Sequence, residues 1–214
     1  MTLRADMEIG PRNIGVVIFA LGGPGRCGHP RNRFVGDYFK SCAIGTLFID
    51  LLTPEEEAVD TVAENHRNDT ALLASRLCAA TQWLIQQKEL HGGAPVGFYG
   101  GDTAAEAVLV AAEQLQREIA AIVLRGGDLD SKRDHSFQKV TSPTLLLVGE
   151  RDEEFMKRNE EAAHHLRCHR QLVIIPGASH LLEEPASKNR VLTLASDWFA
   201  ERFIDWEHAS HLKG

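Results

Sequence analysis

The chain has little with which to grip nucleic acid, enter a bilayer or build a disulfide framework. Lys and Arg number 23 against 30 Asp and Glu, so no basic excess is present to neutralise phosphates or anionic lipid. No apolar run approaches the roughly 18 residues that a spanning helix needs. The opening residues, Met1-Thr2-Leu3-Arg4-Ala5-Asp6, have no apolar stretch of the kind a secretory leader carries. The cysteines, Cys27, Cys42, Cys78 and Cys168, are scattered without a CxxC pair, which reads as reduced thiols in a cytoplasmic protein. Tyrosine is limited to Tyr38 and Tyr99. No repeat, low-complexity tract or shift of composition marks an internal boundary, so a single domain over residues 1–214 is expected.

Metal chemistry is equally poorly provided for. His165 and His169 stand one helical turn apart, near His164 and Cys168. Histidines at the C-terminal turn of a helix complement its dipole, and the second ligand pair of a structural zinc site is not evident. Neither a metal nor another cofactor is expected.

What the chain does have is an alternation of apolar strand-length runs with longer segments of helical period. The runs are residues 14–21 (IGVVIFAL), 46–52 (TLFIDLL), 95–99, 120–124 (AAIVL), 144–148 (TLLLV) and 172–175 (LVII). Between and after them, residues 32–41, 69–89, 103–117, 153–166 and 187–203 carry helical patterns. Continuous apolar strands alternating with amphipathic helices predict an α/β protein, a mainly parallel sheet covered on both faces. Residues 53–68 and 125–142 read as irregular, too short for a cap domain; the acidic run Glu55-Glu56-Glu57 reads as a solvated helix start.

In open sheets of this kind ligands bind outside the carboxyl ends of the strands. The most informative sequence there is Pro-Val-Gly-Phe-Tyr-Gly-Gly-Asp-Thr-Ala-Ala over residues 95–105. An apolar strand passes through paired glycines into an alanine-rich helix, with Asp102 at the corner. That is the layout of a nucleophile elbow, where small neighbours let the turn close and the corner side chain stands clear of the sheet. Two further strand ends carry chemistry: Asp152 follows the 144–148 run, and His180 follows the 172–175 run. Corner residue, acid, then histidine is the chain order of an α/β-hydrolase triad, in which the acid orients the imidazole. Each has a plainer use as well. Asp102 and Asp152 are both suited to helix N-capping, and His180 to bonding a loop carbonyl.

Nearly the full length resembles the small dienelactone-hydrolase-like members of the α/β-hydrolase superfamily. Beside the elbow, the likeness lies in Pro30-Arg31-Asn32-Arg33-Phe34, Asp50-Leu51-Leu52-Thr53-Pro54-Glu55-Glu56-Glu57 and Arg125-Gly126-Gly127. It continues in the Ser-Pro-Thr-Leu-Leu-Leu-Val-Gly of residues 142–149 and the Gly-Ala-Ser-His-Leu-Leu-Glu-Glu-Pro of residues 177–185. The resemblance implies a three-layer α/β-hydrolase fold without a cap domain. It also implies a site of Asp102, His180 and Asp152, with Leu21, Gly22, Gly23 and Thr103 around the oxyanion position. Relatives of this pattern carry Ser at the corner, followed by Thr and Gly, and a His-Gly pair ending the first strand. Here Asp102, Ala104 and Leu21-Gly22 stand in those places.

The exchange changes the chemistry. A carboxylate attacking an ester carbonyl would give a high-energy mixed anhydride, whereas at a saturated carbon it can displace a leaving group. Haloalkane dehalogenases and epoxide hydrolases of the superfamily work that way, but the Trp beside the nucleophile and the cap Tyr residues that serve them have no counterpart here. The expectation is a small-molecule hydrolase with an atypical Asp-His-Asp set, Asp102 acting as nucleophile or water-orienting group. The alternative is a non-catalytic pseudo-hydrolase that binds a ligand or protein. A small-molecule substrate is the expected partner, with no nucleic acid and no membrane; the oligomeric state is left open. Arg26, Arg31 and Arg33 read as a solvated basic loop, and Cys27, with no fixed partner nearby, as a bystander.

Overall fold

The computed structural model describes residues 2–21, 27–63, 66–129 and 136–211. Its centre is a 7-stranded sheet in the order β1-β3-β2-β4-β5-β6-β7. The strands are β1 (Ala5–Glu8), β2 (Gly15–Leu21), β3 (Ile44–Asp50), β4 (Val96–Asp102), β5 (Ile119–Gly127), β6 (Thr144–Gly149) and β7 (Arg170–Ile175). Only β1 runs antiparallel, pairing Ala5 with Ile49 and Glu8 with Thr46 along the edge of β3. The helices are α1 (Pro30–Ser41), α2 (Pro54–Ala63), α3 (Thr70–Gln86), α4 (Lys88–His91), α5 (Ala104–Leu115), α6 (Glu153–His165) and α7 (Pro185–His211).

Side-chain alternation along the strands divides the core in two. On β2, Val16, Ile18 and Ala20 join the cluster beneath α3, α5 and α6, whereas Val17 and Phe19 join the cluster beneath α1 and α7. Gly97 sits where α7 crosses the sheet: a Cβ there would come within 2.6 Å of the Phe199 ring. Phe199 and Phe203 are fully buried on that face, each stabilising the fold by roughly 1.5–3 kcal/mol through the area removed from water. No helix among the described residues is long and apolar enough to cross a membrane.

Three expectations are corrected. Residues 53–68 are not irregular, because α2 occupies most of them. Thr53 and Glu56 form a reciprocal capping box, the Thr53 amide donating to Glu56 Oε2 at 2.9 Å and the Glu56 amide to Thr53 Oγ1 at 3.3 Å. Nor is the acidic run simply solvated. Glu56 takes both terminal nitrogens of Arg76 at 2.6 Å, and Glu57 takes Arg4 at 2.6 Å. The Arg76 fork holds the Glu56 carboxyl down at about 2. Arg31, read as part of a loop, stands in the first turn of α1 and pairs with Glu183.

Candidate functional site

The junction of β4 and α5 is built from small residues because larger ones would not fit. A Cβ on Gly100 would lie 2.7 Å from Val108 Cγ2, and one on Gly127 would lie 2.5 Å from the Ala105 methyl. Their absence lets α5 start directly against the strand ends. Asp102 closes β4 with φ +54°, the left-handed region that costs most L-residues roughly 1–2 kcal/mol and that Asp and Asn accept best. Thr103 is the N-cap of α5, at φ −64° and ψ −22°, and its side chain makes no capping bond. Capping therefore does not account for Asp102. Its carboxylate has no hydrogen bond or ion pair among the described residues, while its carbonyl accepts from the Asp128 amide at 3.3 Å.

Asp152 does cap a helix. It precedes α6, and its Oδ1 accepts from the Phe155 amide at 3.2 Å. The other oxygen, Oδ2, lies 3.9 Å from His180 Nδ1, so one carboxylate both caps the helix and faces the histidine. His180 sits on the loop between β7 and α7, about a quarter exposed. Its Nδ1 is buried without a hydrogen-bond partner, and its ring packs on Phe155 with centroids 3.9 Å apart. Phe155 was not singled out in the sequence. The signal was a lone aromatic, three residues after Asp152, in the otherwise polar first turn of α6.

The histidine loop is fastened along its length. Gly177 donates to Glu150 Oε2 at 2.7 Å, Arg151 to the Ala178 carbonyl at 3.0 Å, and Ser179 to Glu184 Oε1 at 2.8 Å. Arg125 Nη1 donates to the Leu181 carbonyl at 2.8 Å. Backbone amides, its own and that of Ser179, hold the Glu184 carboxyl down at about 2. Leu182, buried, takes a left-handed φ of +51° to turn the chain. Beneath the loop, a Cβ on Gly126 would stand 2.7 Å from the His180 carbonyl oxygen and 3.6 Å from Nδ1. Since Gly127 pairs with Asp102 in the sheet, the imidazole lies over the end of β5, the strand next to the corner.

The three residues thus stand at the carboxyl ends of β4, β6 and β7 as expected, but they do not form a closed hydrogen-bonded chain. His180 and Asp152 face each other across 3.9 Å. Asp102 and His180 make no ion pair within 4.0 Å. Of the residues placed around the oxyanion position, Leu21 ends β2 opposite Asp50, Thr103 heads α5, and Gly22 and Gly23 lie outside the described residues, as does Arg26.

Cys27 is fastened to the end of β3. Its amide donates to both oxygens of Asp50, at 3.1 and 3.3 Å, and burial together with that carboxylate pushes the thiol up to about 12. His169 is stacked on Trp198 at 5.5 Å, and no group of three or more metal-ligating side chains occurs among the described residues.

No family model matches the chain. The crystal structure of dienelactone hydrolase from Anabaena variabilis ATCC 29413 superposes with a TM-score of 0.85 at 39% identity, covering 93% of this chain and 91% of that one. A dienelactone-hydrolase-like promiscuous phosphotriesterase from metagenomic libraries gives a TM-score of 0.67 at 18% identity, over 93% and 98% of the two chains, a likeness of fold alone. Two Mycobacterium tuberculosis proteins named as candidate phosphoribosyl transferases are also similar: MT0597 of strain CDC 1551 / Oshkosh and Rv0571c of strain ATCC 25618 / H37Rv. Each is 41% identical over 189 residues, or 87% of this chain, which spans 41% of the length of either.

Proposed function

We infer that this chain, which belongs to the dienelactone hydrolase family of α/β hydrolases, is a small-molecule hydrolase whose corner carboxylate attacks carbon. One observation carries the reading: Asp102 is held in the left-handed conformation at the strand-to-helix corner, and neither a cap nor a described ion pair occupies its oxygens. A strained, unpartnered carboxylate where the fold presents its nucleophile is what a reacting group requires.

In the first half of the reaction an Asp102 oxygen bonds to a saturated carbon, and the leaving group departs with the electron pair of the broken bond. Asp102 is then a neutral alkyl ester. In the second half His180 takes a proton from water through Nε2, and the hydroxide adds to the ester carbonyl carbon of Asp102. Collapse breaks the bond between that carbon and the alkyl oxygen, which leaves as an alcohol on receiving the proton from His180. Asp152, facing Nδ1, orients the imidazole and stabilises its protonated form. The amides of Thr103 and Gly23 would serve the oxyanion of the second half.

Incubation with alkyl halides and with epoxides, followed by peptide mass spectrometry, tests this directly. An ester adduct on Asp102 is expected, accumulating when His180→Gln blocks its hydrolysis. Absence of any adduct in both proteins would sink the reading.

A second reading, a hydrolase-fold module that binds without turnover, is favoured by the missing ion pair between Asp102 and His180. Silence across ester, lactone, epoxide and haloalkane panels would support it, and esterase activity gained by Asp102→Ser would show the remaining machinery to be intact. The transferase name of the mycobacterial relatives belongs to proteins of which this chain spans 41%, and the matched part is the hydrolase fold. A hydrolase's reaction rather than a transferase's is therefore proposed for it.

A further inference from the structure

On the side of the elbow that faces α1 and α7 lies a recess of about 90 Å³, its walls including Arg31, Arg125, Tyr99, Gly101, Phe19 and Phe48. The floor is aromatic. Phe19 stacks on Phe48 with centroids 4.5 Å apart, and its ring lies 4.8 Å from that of Tyr99. The walls are cationic, and each guanidinium is only partly engaged. Arg125 gives one N–H to the Leu181 carbonyl, Arg31 gives one to Glu183, and their remaining side-chain N–H groups have no partner among the described residues. The Tyr99 hydroxyl has none either. Enclosure pushes the Tyr99 phenol above its usual range, against the pull of Arg125 and Arg31, so it keeps its proton as a donor.

Gly101 completes the enclosure by what it lacks. A Cβ there would come 2.9 Å from the Arg125 carbonyl oxygen and 3.6 Å from Nε, in the space the guanidinium stem now uses. Glu183 is the only carboxylate bonded to either arginine among the described residues, and Arg31 holds it below its usual range, with Arg125 a lesser contributor. Arg31 and Arg125 thus bring two guanidinium groups to the recess against one carboxylate bonded to them, with the Asp102 carboxylate next along the chain from Gly101.

We propose that this recess is a receptor for a small oxyanion, gripped by Arg31, Arg125 and the Tyr99 hydroxyl above the Phe19–Phe48 floor. Planar guanidinium forks match the paired oxygens of a carboxylate or phosphate. The cavity, at about 90 Å³, admits an anionic head group but not the body of a ligand that fills a pocket of roughly 300–1,000 Å³. Gly101 directly precedes Asp102, so a ligand held here by its head lies one residue from the corner. The inference concerns binding and stands whether or not Asp102 reacts.

Isothermal titration of the full chain with inorganic phosphate, and in a second arm with benzoate, separates phosphate from flat carboxylate as the preferred head group. Saturable one-to-one binding of at least one is expected, with Kd on the order of 1 mM. Arg31→Gln and Arg125→Met should each weaken it about tenfold, and Tyr99→Phe about threefold, as befits charged and neutral hydrogen bonds. Arg125→Lys keeps the charge and should stay between wild type and Arg125→Met. Glu183→Gln removes the competing carboxylate and should tighten binding. Thermal melts check that each variant is folded; Arg31→Gln, on an exposed helix turn, keeps the question open to measurement even if the Arg125 variants unfold. Binding of neither anion, binding indifferent to both arginines, or weaker binding in Glu183→Gln would overturn the proposal.

Discussion

His180 Nδ1 and Asp152 Oδ2 stand 3.9 Å apart, inside the range of an ion pair and outside that of a hydrogen bond. The gap is flanked by fixed elements. Phe155 lies against the imidazole, and the bare backbone of Gly126 lies close to it as well. The position of the ring is thus set by packing more than by its acidic neighbour.

Gly126→Ala should displace it. The new methyl would start 2.7 Å from the His180 carbonyl, at a residue whose φ is +55°. Overpacking and left-handed strain together should destabilise the protein by about 1–3 kcal/mol, measured by urea unfolding. The nuclear Overhauser contact between the His180 and Phe155 rings should be lost. Gly97→Ala, which meets Phe199 of α7, should lower stability while leaving that contact intact.

Backbone strain at the corner predicts an ordering of variants. Asp102→Gly should raise unfolding free energy by up to about 1 kcal/mol, because glycine takes a positive φ freely. Asp102→Ala should lower it by about 1 kcal/mol, since alanine lacks the tolerance of Asp for this region. Both should abolish the covalent adduct, so stability and chemistry move independently at this residue. Chemical denaturation alongside mass spectrometry checks the pair.

Arg76 is the clamp between α2 and α3. It is buried, bonds both oxygens of Glu56 and also reaches the Leu51 carbonyl at 2.8 Å. Arg76→Met should cost about 2–3 kcal/mol, less than the roughly 3–5 of a fully buried pair because Glu56 keeps some contact with water. Hydrogen exchange should quicken first in α2.

Acid should loosen the same region and the start of α7. Glu56 is held at about 2 by Arg76, and Glu184 at about 2 by backbone amides, against an ordinary value of 4.5. Folded values below unfolded ones mean the contribution is complete above pH 4.5 and disappears as pH falls toward 2. Circular-dichroism melts should therefore hold steady from neutrality to about pH 5 and then fall. In Arg76→Met the Glu56 share of that fall should be missing.

The inner parallel strands were legible because burial on both faces makes them continuous apolar runs. The corner was legible because a tight turn admits only small residues, and Gly100, Gly101, Ala104 and Ala105 announce it. β1 was not, since all its residues are exposed and the alternation of Ala5-Asp6-Met7-Glu8 runs for only four residues. α2 had its capping box in plain sight in Thr53 and Glu56, but its burial depends on Arg4 and Arg76, which are remote in sequence. The same holds for the site. That Asp102, Asp152 and His180 share one end of the sheet follows from strand order. The separation of 3.9 Å between the latter two, and the gathering of Arg31, Arg125 and Tyr99 around one recess, arise from rotamers and loop packing that no local pattern records.

Asp152 answers to two masters. One oxygen holds down the first turn of α6 through Phe155, and the other faces the imidazole. Drawing that carboxylate inward to meet His180 would pull it off the Phe155 amide, so readiness at the histidine is bought with fraying at the helix start. The Phe155 backbone proton then becomes a reporter: a ligand that tightens the imidazole's hold on Asp152 should make that proton exchange faster with solvent, an inversion of the usual protection on binding.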